Sequence, residues 1–253
     1  MNVSIPSPPL DRIRAAVSSG ILAIEAAGLV AEQPEVAGAV ERHRWAWKPP
    51  AIRVLLVAES HVYTSAEDLA IRINATLLPD AARHAPLEYV RLVYCLGYGE
   101  TWLLNAQPRS NAGTWQFWNI FGRVAKTGRQ PTRGGSSDAS RLAWKVATLN
   151  RLREQGVWLL DSSLHGIYAP GATRVPAHLT TVLHRIWWEH YGSWLFAQCA
   201  GAYRCVIGKV TAAHLANLGV PVDNWIYQPQ AERNVSSPQL DHGWPDLLRA
   251  ASS

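Results

Sequence analysis

The sequence is poor in the residues that cross-link small folds. Its 253 residues include only three cysteines, Cys95, Cys199 and Cys205, and no two of them form a Cys-x-x-Cys pair. This spacing gives no support to a zinc ribbon, a four-cysteine iron–sulfur cluster or a disulfide framework. The fold must therefore be stabilised by a hydrophobic core, and a chain of this length can bury a substantial one.

Long apolar runs and a basic leader are also missing. No run reaches the roughly 18 apolar residues that span a bilayer, and the first residues, MNVSIPSPPLDRIR, lack the basic-then-apolar order of a signal sequence. We therefore expect a cytoplasmic protein that makes no membrane contact. Hydrophobic residues make up 48% of the chain and charged residues 17%, a balance that excludes intrinsic disorder.

Positive charge is concentrated in one segment. Residues 123–153 contain eight basic residues and one acid, so they carry +7 and the remaining residues sum to −2. The centre of the segment, KTGRQPTRGGSSD, is typical of a loop. A basic loop leading into a basic helix suits a phosphate backbone, and a solvated charged surface is the alternative.

Four short apolar runs alternate with helical patterns along the chain. The runs predict buried strands at 52–58, 157–161, 203–208 and 224–228. The helical patterns cover 9–44, 114–125, 139–155, 178–198 and 243–251. This order predicts an α/β fold: a three-layer α/β/α sandwich with a four-stranded, mainly parallel central sheet and an N-terminal helical extension. We expect the extension to cover 1–49 and a single globular domain to cover 50–253.

Polar residues follow the predicted strands. Glu59-Ser60-His61 follows the first strand, Asp161 ends the second, and Gln228 ends the fourth. Ligands of such sheets bind beyond the carboxyl ends of the strands, so these residues form a candidate site. The alternative is that they are polar only because strand ends lead into turns.

Three stretches at these strand ends resemble the motifs of the uracil-DNA glycosylase superfamily. They are RVLLVAES (53–60), QGVWLLDSSL (155–164), and RCVIGK (204–209) followed by WIYQPQA (225–231). In addition, Gln116-Phe117-Trp118 is similar to the Arg/His-Phe-Trp helix of the mismatch-specific branch. The resemblance covers about residues 50–245 in order and rough spacing.

The motif positions that carry chemistry in that superfamily are altered here. Ala58 stands at the first-motif Gly, Ser60 at the water-activating Asp of some branches, and His61 at the Pro. Asp161 replaces the uracil-reading Asn, and Gln228 replaces the His of the last motif. The sequence thus resembles a divergent bacterial member with altered catalytic motifs.

The resemblance implies a DNA repair enzyme that flips uracil out of DNA and hydrolyses its N-glycosidic bond, leaving an abasic site. It implies a monomer that needs no metal and no cofactor. The alternative is a catalytically weak DNA-binding module that recognises damaged or abasic DNA. A small-molecule hydrolase is a third class, and the basic segment argues against it.

The resemblance assigns catalytic roles to Glu59, His61, Asp161 and Gln228, and a base-binding role to Ser60. Glu59 would place a carboxylate near the sugar; its alternative is capping of the following helix. His61 would accept a proton or contact phosphate, unless it is a plain turn histidine. The Gln228 amide would donate to a base oxygen.

Asp161 has three interpretations. A neutral carboxyl would pair with N3–H and O4 of uracil and would also act in catalysis, and burial raises a carboxyl pKa toward that state. An ionised carboxylate would instead accept from an exocyclic amine and favour cytosine. A cap on the backbone of Ser162-Ser163-Leu164 is the structural alternative.

The remaining assignments concern stacking and DNA contact. We expect Tyr98 to stack on the base, with Trp115 as the alternative, although either ring could be part of the core. We expect the DNA backbone to be contacted by Lys126, Arg129, Arg133 and Arg233.

Overall fold

The computed structural model describes residues 7–111, 113–132, 137–169, 173–228 and 236–252. The helices are, in chain order, α1 (Leu10–Ala26), α2 (Pro34–Ala46), α3 (Ala66–Leu69), α4 (Trp115–Ala125), α5 (Asp138–Glu154), α6 (Ala177–Trp187), α7 (Ser193–Gln198), α8 (Lys209–Asn217), α9 (Ser237–Leu240) and α10 (Trp244–Ser252). The strands are β1 (Val54–Ala58), β2 (Val157–Asp161), β3 (Tyr168–Ala169), β4 (Thr173–Arg174), β5 (Tyr203–Ile207) and β6 (Asn224–Ile226). Short 3₁₀ turns lie at Ala75–Leu77, Asp80–Ala82 and Thr101–Leu103.

The central sheet is parallel and has the strand order β2-β1-β5-β6. Every residue of β1 and β2 is buried, which is why these strands appear in the sequence as continuous apolar runs. The helix α4 contacts both α5 and α10, and α6 contacts α8. With the right-handed crossovers that parallel strands adopt, the first group covers one face of the sheet and the second group the other. The predicted α/β/α sandwich with a four-stranded sheet is thereby confirmed.

The first two helices belong to the same hydrophobic core as the sheet. The indole of Trp45 in α2 packs edge-on against that of Trp158 in β2, with 5.5 Å between ring centroids. The Trp158 indole N–H donates to the backbone carbonyl of Arg44 at 3.1 Å. The helix α1 contacts both α2 and α6. The N-terminal segment is therefore packed directly behind the strand ends.

Two segments differ from the sequence prediction. The helix predicted over 178–198 contains a π-helical turn at Trp188–Gly192, between α6 and α7. The Trp187 ring covers Gly192 so closely that a Cβ there would lie 2.8 Å from it. The connection between β2 and α6, where the sequence predicts no strand, contains the antiparallel pair β3–β4.

The chain leaves β1 toward β2 on one side and leaves β5 toward β6 on the other, so connections after these two neighbouring strands run in opposite directions. The carboxyl ends of β1 and β5 therefore form a topological switch point, where an open parallel sheet leaves a crevice. None of the helices in the described ranges has the length and apolar character needed to cross a membrane.

Candidate functional site

A cavity of about 950 Å³ lies at the carboxyl ends of the strands. Its size falls within the range of small-molecule and cofactor sites. The structure brings six of the predicted site residues into the lining of this one cavity: Glu59, Ser60, His61, Tyr98, Asp161 and Gln228. The strand-end pattern therefore located a real concave site.

Glu59 directly follows β1 and is only 8% exposed. Its carboxylate forms an ion pair with Arg174 of β4. Burial raises the pKa of Glu59, and the Arg174 guanidinium opposes that rise. The helix after Glu59 is capped by Ser65, whose hydroxyl accepts from the Asp68 N–H at 3.1 Å. The capping alternative for Glu59 is therefore not what the structure contains.

His61 is fully buried between two carboxylates. Its Nε2 lies 3.0 Å from Glu32 Oε2, and its Nδ1 lies 3.8 Å from Asp161 Oδ2. Burial disfavours the imidazolium, but the charges of Glu32 and Asp161 outweigh it and raise the pKa of His61 to about 9. At neutral pH the ring is therefore cationic, with no lone pair to accept a proton. A protonated ring can only donate, so of the two predicted roles the phosphate contact matches this pKa and the proton acceptor does not; both stay predictions.

Glu32, in the connection between α1 and α2, joins several backbone segments. It accepts from the backbone N–H of Thr64 at 2.6 Å and of Gly166 at 2.8 Å. Burial opposes its ionisation, but His61 and these hydrogen bonds outweigh that effect and lower its pKa. Gly166 is needed because a Cβ there would lie 2.6 Å from the Tyr63 backbone nitrogen. Glu32 therefore fixes two cavity loops.

Asp161 ends β2 and accepts a hydrogen bond from Arg44 Nη2 at 2.5 Å. Arg44 also forms an ion pair with Glu41, and the Tyr191 hydroxyl donates to the other Glu41 oxygen at 2.7 Å. Five buried charged groups alternate in sign along one chain, and its inner members His61 and Asp161 line the cavity. In order along the chain they are Glu32, His61, Asp161, Arg44 and Glu41. We call them the charge chain.

The Arg44 contact limits how the Asp161 carboxyl can meet a ligand. A guanidinium only donates hydrogen bonds, so Asp161 Oδ2 accepts from Arg44. The neutral carboxyl expected for uracil recognition stays a prediction. A buried ion-pair chain is weak evidence for stability, because desolvation offsets the attraction. It does hold the Asp161 carboxylate in one position.

Gln228 and Ser60 both line the cavity and contact different backbone segments. The Gln228 side chain packs on Gly208, where a Cβ would lie 3.0 Å from its Nε2. The Ser60 hydroxyl donates to the backbone carbonyl of His61 at 2.8 Å and accepts from the Ile167 N–H at 3.2 Å. Ser60 therefore joins loops, and its hydroxyl is already engaged.

Tyr98, the first of the two predicted stacking rings, belongs to the hydrophobic core and is only 3% exposed, as its alternative expected. It lines the cavity, packs edge-on to Tyr89 at 6.4 Å, and lies below the Arg91 guanidinium at 5.9 Å. Trp115 instead lines a neighbouring cavity. Phe117, named above in a motif without a site role, is a half-buried ring of α4 that also lines the main cavity.

The basic segment is not one continuous basic face. In α5, Arg141 and Lys145 are buried, and each lies 2.9 Å from a carboxylate oxygen of Glu100. Lys126 and Arg129 are exposed, as a DNA contact would require. The other two predicted contacts, Arg133 and Arg233, lie outside the described residues.

The sequence reading missed four charged residues that position the site: Glu32, Glu41, Arg44 and Arg174. For two of these residues, the sequence does contain a signal of a buried ion pair. Glu41 and Arg44 fall on the apolar, buried face of α2, where unpaired charges are costly. Nothing in the local sequence marks Glu32 or Arg174.

In the described ranges, no group of three or more His, Cys, Asp or Glu side chains is placed to hold a metal ion.

Comparison with known proteins found no matching protein family, no matching curated protein and no matching solved structure. The resemblance to uracil-DNA glycosylases therefore stays a prediction that rests on the quoted motifs.

Proposed function

We propose that the protein is a DNA glycosylase that hydrolyses the N-glycosidic bond of a uracil flipped out of DNA. One observation carries the proposal: the residues that the motif resemblance selected, from four separate parts of the chain, line a single cavity. That cavity lies at the switch point of the sheet, and its volume accommodates a base with its sugar.

In the proposed reaction, water adds to C1′ of the deoxyribose while the bond from C1′ to the base nitrogen breaks. The base leaves with the bonding electrons and takes up a proton, while the water that adds to C1′ releases one proton to solvent and becomes the sugar hydroxyl. Positive charge develops on the sugar and negative charge on the base. The Glu59 carboxylate stabilises the sugar cation, and the Gln228 amide donates to the base.

The contact between Asp161 and Arg44 gives the base-reading step a defined form. One carboxylate oxygen accepts from Arg44, which leaves the other to accept from the N3–H of uracil. Tyr98 contacts the face of the base, and the cationic His61 provides positive charge next to Asp161.

One observation favours the alternative, a DNA-binding module with little catalysis. Arg174 covers the Glu59 carboxylate, which is the group assigned to stabilise the sugar cation. In that alternative the same cavity receives a damaged or abasic nucleotide without cleaving a bond.

A cleavage assay with labelled oligonucleotides distinguishes the glycosylase from the DNA-binding module. Single- and double-stranded DNA carrying uracil, thymine, hypoxanthine or cytosine at one position is treated with alkali after incubation. The glycosylase makes the uracil strand alkali-labile, and Glu59→Gln lowers the rate by about 100-fold or more, because it removes the charge and keeps the shape. Binding without strand lability supports the module, and neither binding nor lability refutes both functions.

A further inference from the structure

A second cavity, of about 370 Å³, lies beside the first. It is lined by the first residues of α4, by the loop after that helix and by buried residues of α5. Two residues, Gly113 and Thr114, line both cavities and form the wall between them. A ligand with two linked units could therefore fill both cavities at once.

The shared wall has an unused polar group. The Thr114 hydroxyl is buried, yet it has no hydrogen-bond partner in the described part of the chain. Thr114 is also the N-cap of α4, and its side chain makes no capping bond. Buried hydroxyls are usually paired, so this one is available to a ligand that crosses the wall.

The second cavity has one large exposed ring. Trp115 is 59% exposed, although most large apolar side chains of this protein are buried. It stands at the first position of α4, beside the shared wall. An indole in this position offers a flat face on which a nucleobase can stack.

The charges of the second cavity suit a phosphodiester. Deep in the cavity, the Glu100 carboxylate is paired with Arg141 and Lys145, and Arg141 also contacts Asp138. These four charges cancel. Arg129 lines the same cavity and is exposed, so it leaves one net positive charge at the rim.

We propose that the second cavity binds the nucleotide next to the flipped one, with its base stacked on Trp115 and its phosphate at Arg129 and Thr114. This inference rests on the proposed function for its ligand class, a single DNA strand. It predicts that binding energy comes from two adjacent nucleotides, each in its own cavity.

The test measures binding, so it does not depend on bond cleavage. Fluorescence anisotropy is followed for a labelled single-stranded oligonucleotide with one central uracil. Trp115→Ala weakens binding by about 5- to 150-fold, the loss typical of one base–aromatic stack. Trp115→Phe retains most of the affinity. The control Leu22→Ala, at a residue 67% exposed on α1, has no effect.

Two further measurements locate the effect. Competition by deoxyuridine monophosphate, which fills only the first cavity, is the same for wild type and Trp115→Ala. Arg129→Gln lowers the slope of log affinity against log salt by about one phosphate equivalent. Arg14→Gln, an exposed charge on α1, leaves that slope unchanged.

The inference is overturned if wild type and Trp115→Ala bind the oligonucleotide with equal affinity. It is also overturned if wild type binds no single-stranded DNA. If wild type binds DNA and depends on Trp115 but never cleaves uracil, the second nucleotide site is supported and the glycosylase is refuted. If it cleaves uracil at a rate that Trp115→Ala leaves unchanged, with unchanged affinity, the glycosylase is supported and the second site is overturned.

Discussion

Raising the pH from 6 to 10 is expected to destabilise the folded protein through His61. Its side chain is fully buried, and Glu32 and Asp161 hold its pKa at about 9. In the unfolded chain the same imidazole titrates near 6.5. Because the folded state holds the proton more tightly, the stabilisation is complete below pH 6.5 and is lost as the pH rises through 9.

The size of the effect follows from these two pKa values. Their separation corresponds to about 3 kcal/mol of folding free energy. Solvent screening does not reduce it, because the His61 side chain is 0% exposed and Glu32 is 2% exposed. A loss of this size is a large fraction of the stability of an ordinary domain.

The assay is urea unfolding of wild type and His61→Gln at each pH unit from 6 to 10. Other groups that titrate in this range, such as the buried pair Cys95 and His43, are present in both proteins and cancel in the difference. The stability difference between wild type and variant should shrink by about 3 kcal/mol as the pH rises.

A constant difference across the whole range would refute a cationic His61 in the folded state. Two isosteric variants then test the cause. Glu32→Gln and Asp161→Asn each remove one of the charges that raise the pKa of His61, so each should move the pH dependence to lower pH. If neither does, the charges of the charge chain do not set this titration.

Two further predictions concern the cavity rim and its loops. Arg174→Ala removes the charge that opposes the rise in the pKa of Glu59, so the Glu59 pKa should rise further. In a pH–rate profile, the variant should then lose cleavage on acidification at a higher pH than wild type. Gly166→Ala places a Cβ 2.6 Å from the Tyr63 backbone and should lower stability by about 1–3 kcal/mol in thermal melts. In the control Gly201→Ala, the added Cβ has no atom within 4 Å, so the melting temperature should not change. Equal melting temperatures of the two variants would contradict the packing argument.

The layers of the fold could be predicted because buried parallel strands leave a strong local signal. The run VWLLD was assigned to 157–161, and β2 has these same bounds. The first strand was assigned to 52–58 and begins two residues later, at Val54. The site could be located for a related reason: polar residues that interrupt such runs must lie at one edge of the sheet.

The contacts that position the site could not be predicted in the same way. Glu32 lies 29 residues from His61 in sequence, and Arg44 lies 117 residues from Asp161. Local periodicity carries no information about pairs that far apart. The pKa of His61 depends on those pairs, and so the sequence left three interpretations of this residue open: a proton acceptor, a phosphate contact and a turn histidine.

The charge chain has an evolutionary consequence. Each of its buried charges is balanced by a neighbour, and removing one partner of such a pair costs about 3–5 kcal/mol. A substitution at Arg44 therefore survives only with a matching change at Glu41 or Asp161. We therefore expect substitutions in the helices before residue 50 to be accompanied in related proteins by substitutions at the strand ends after it.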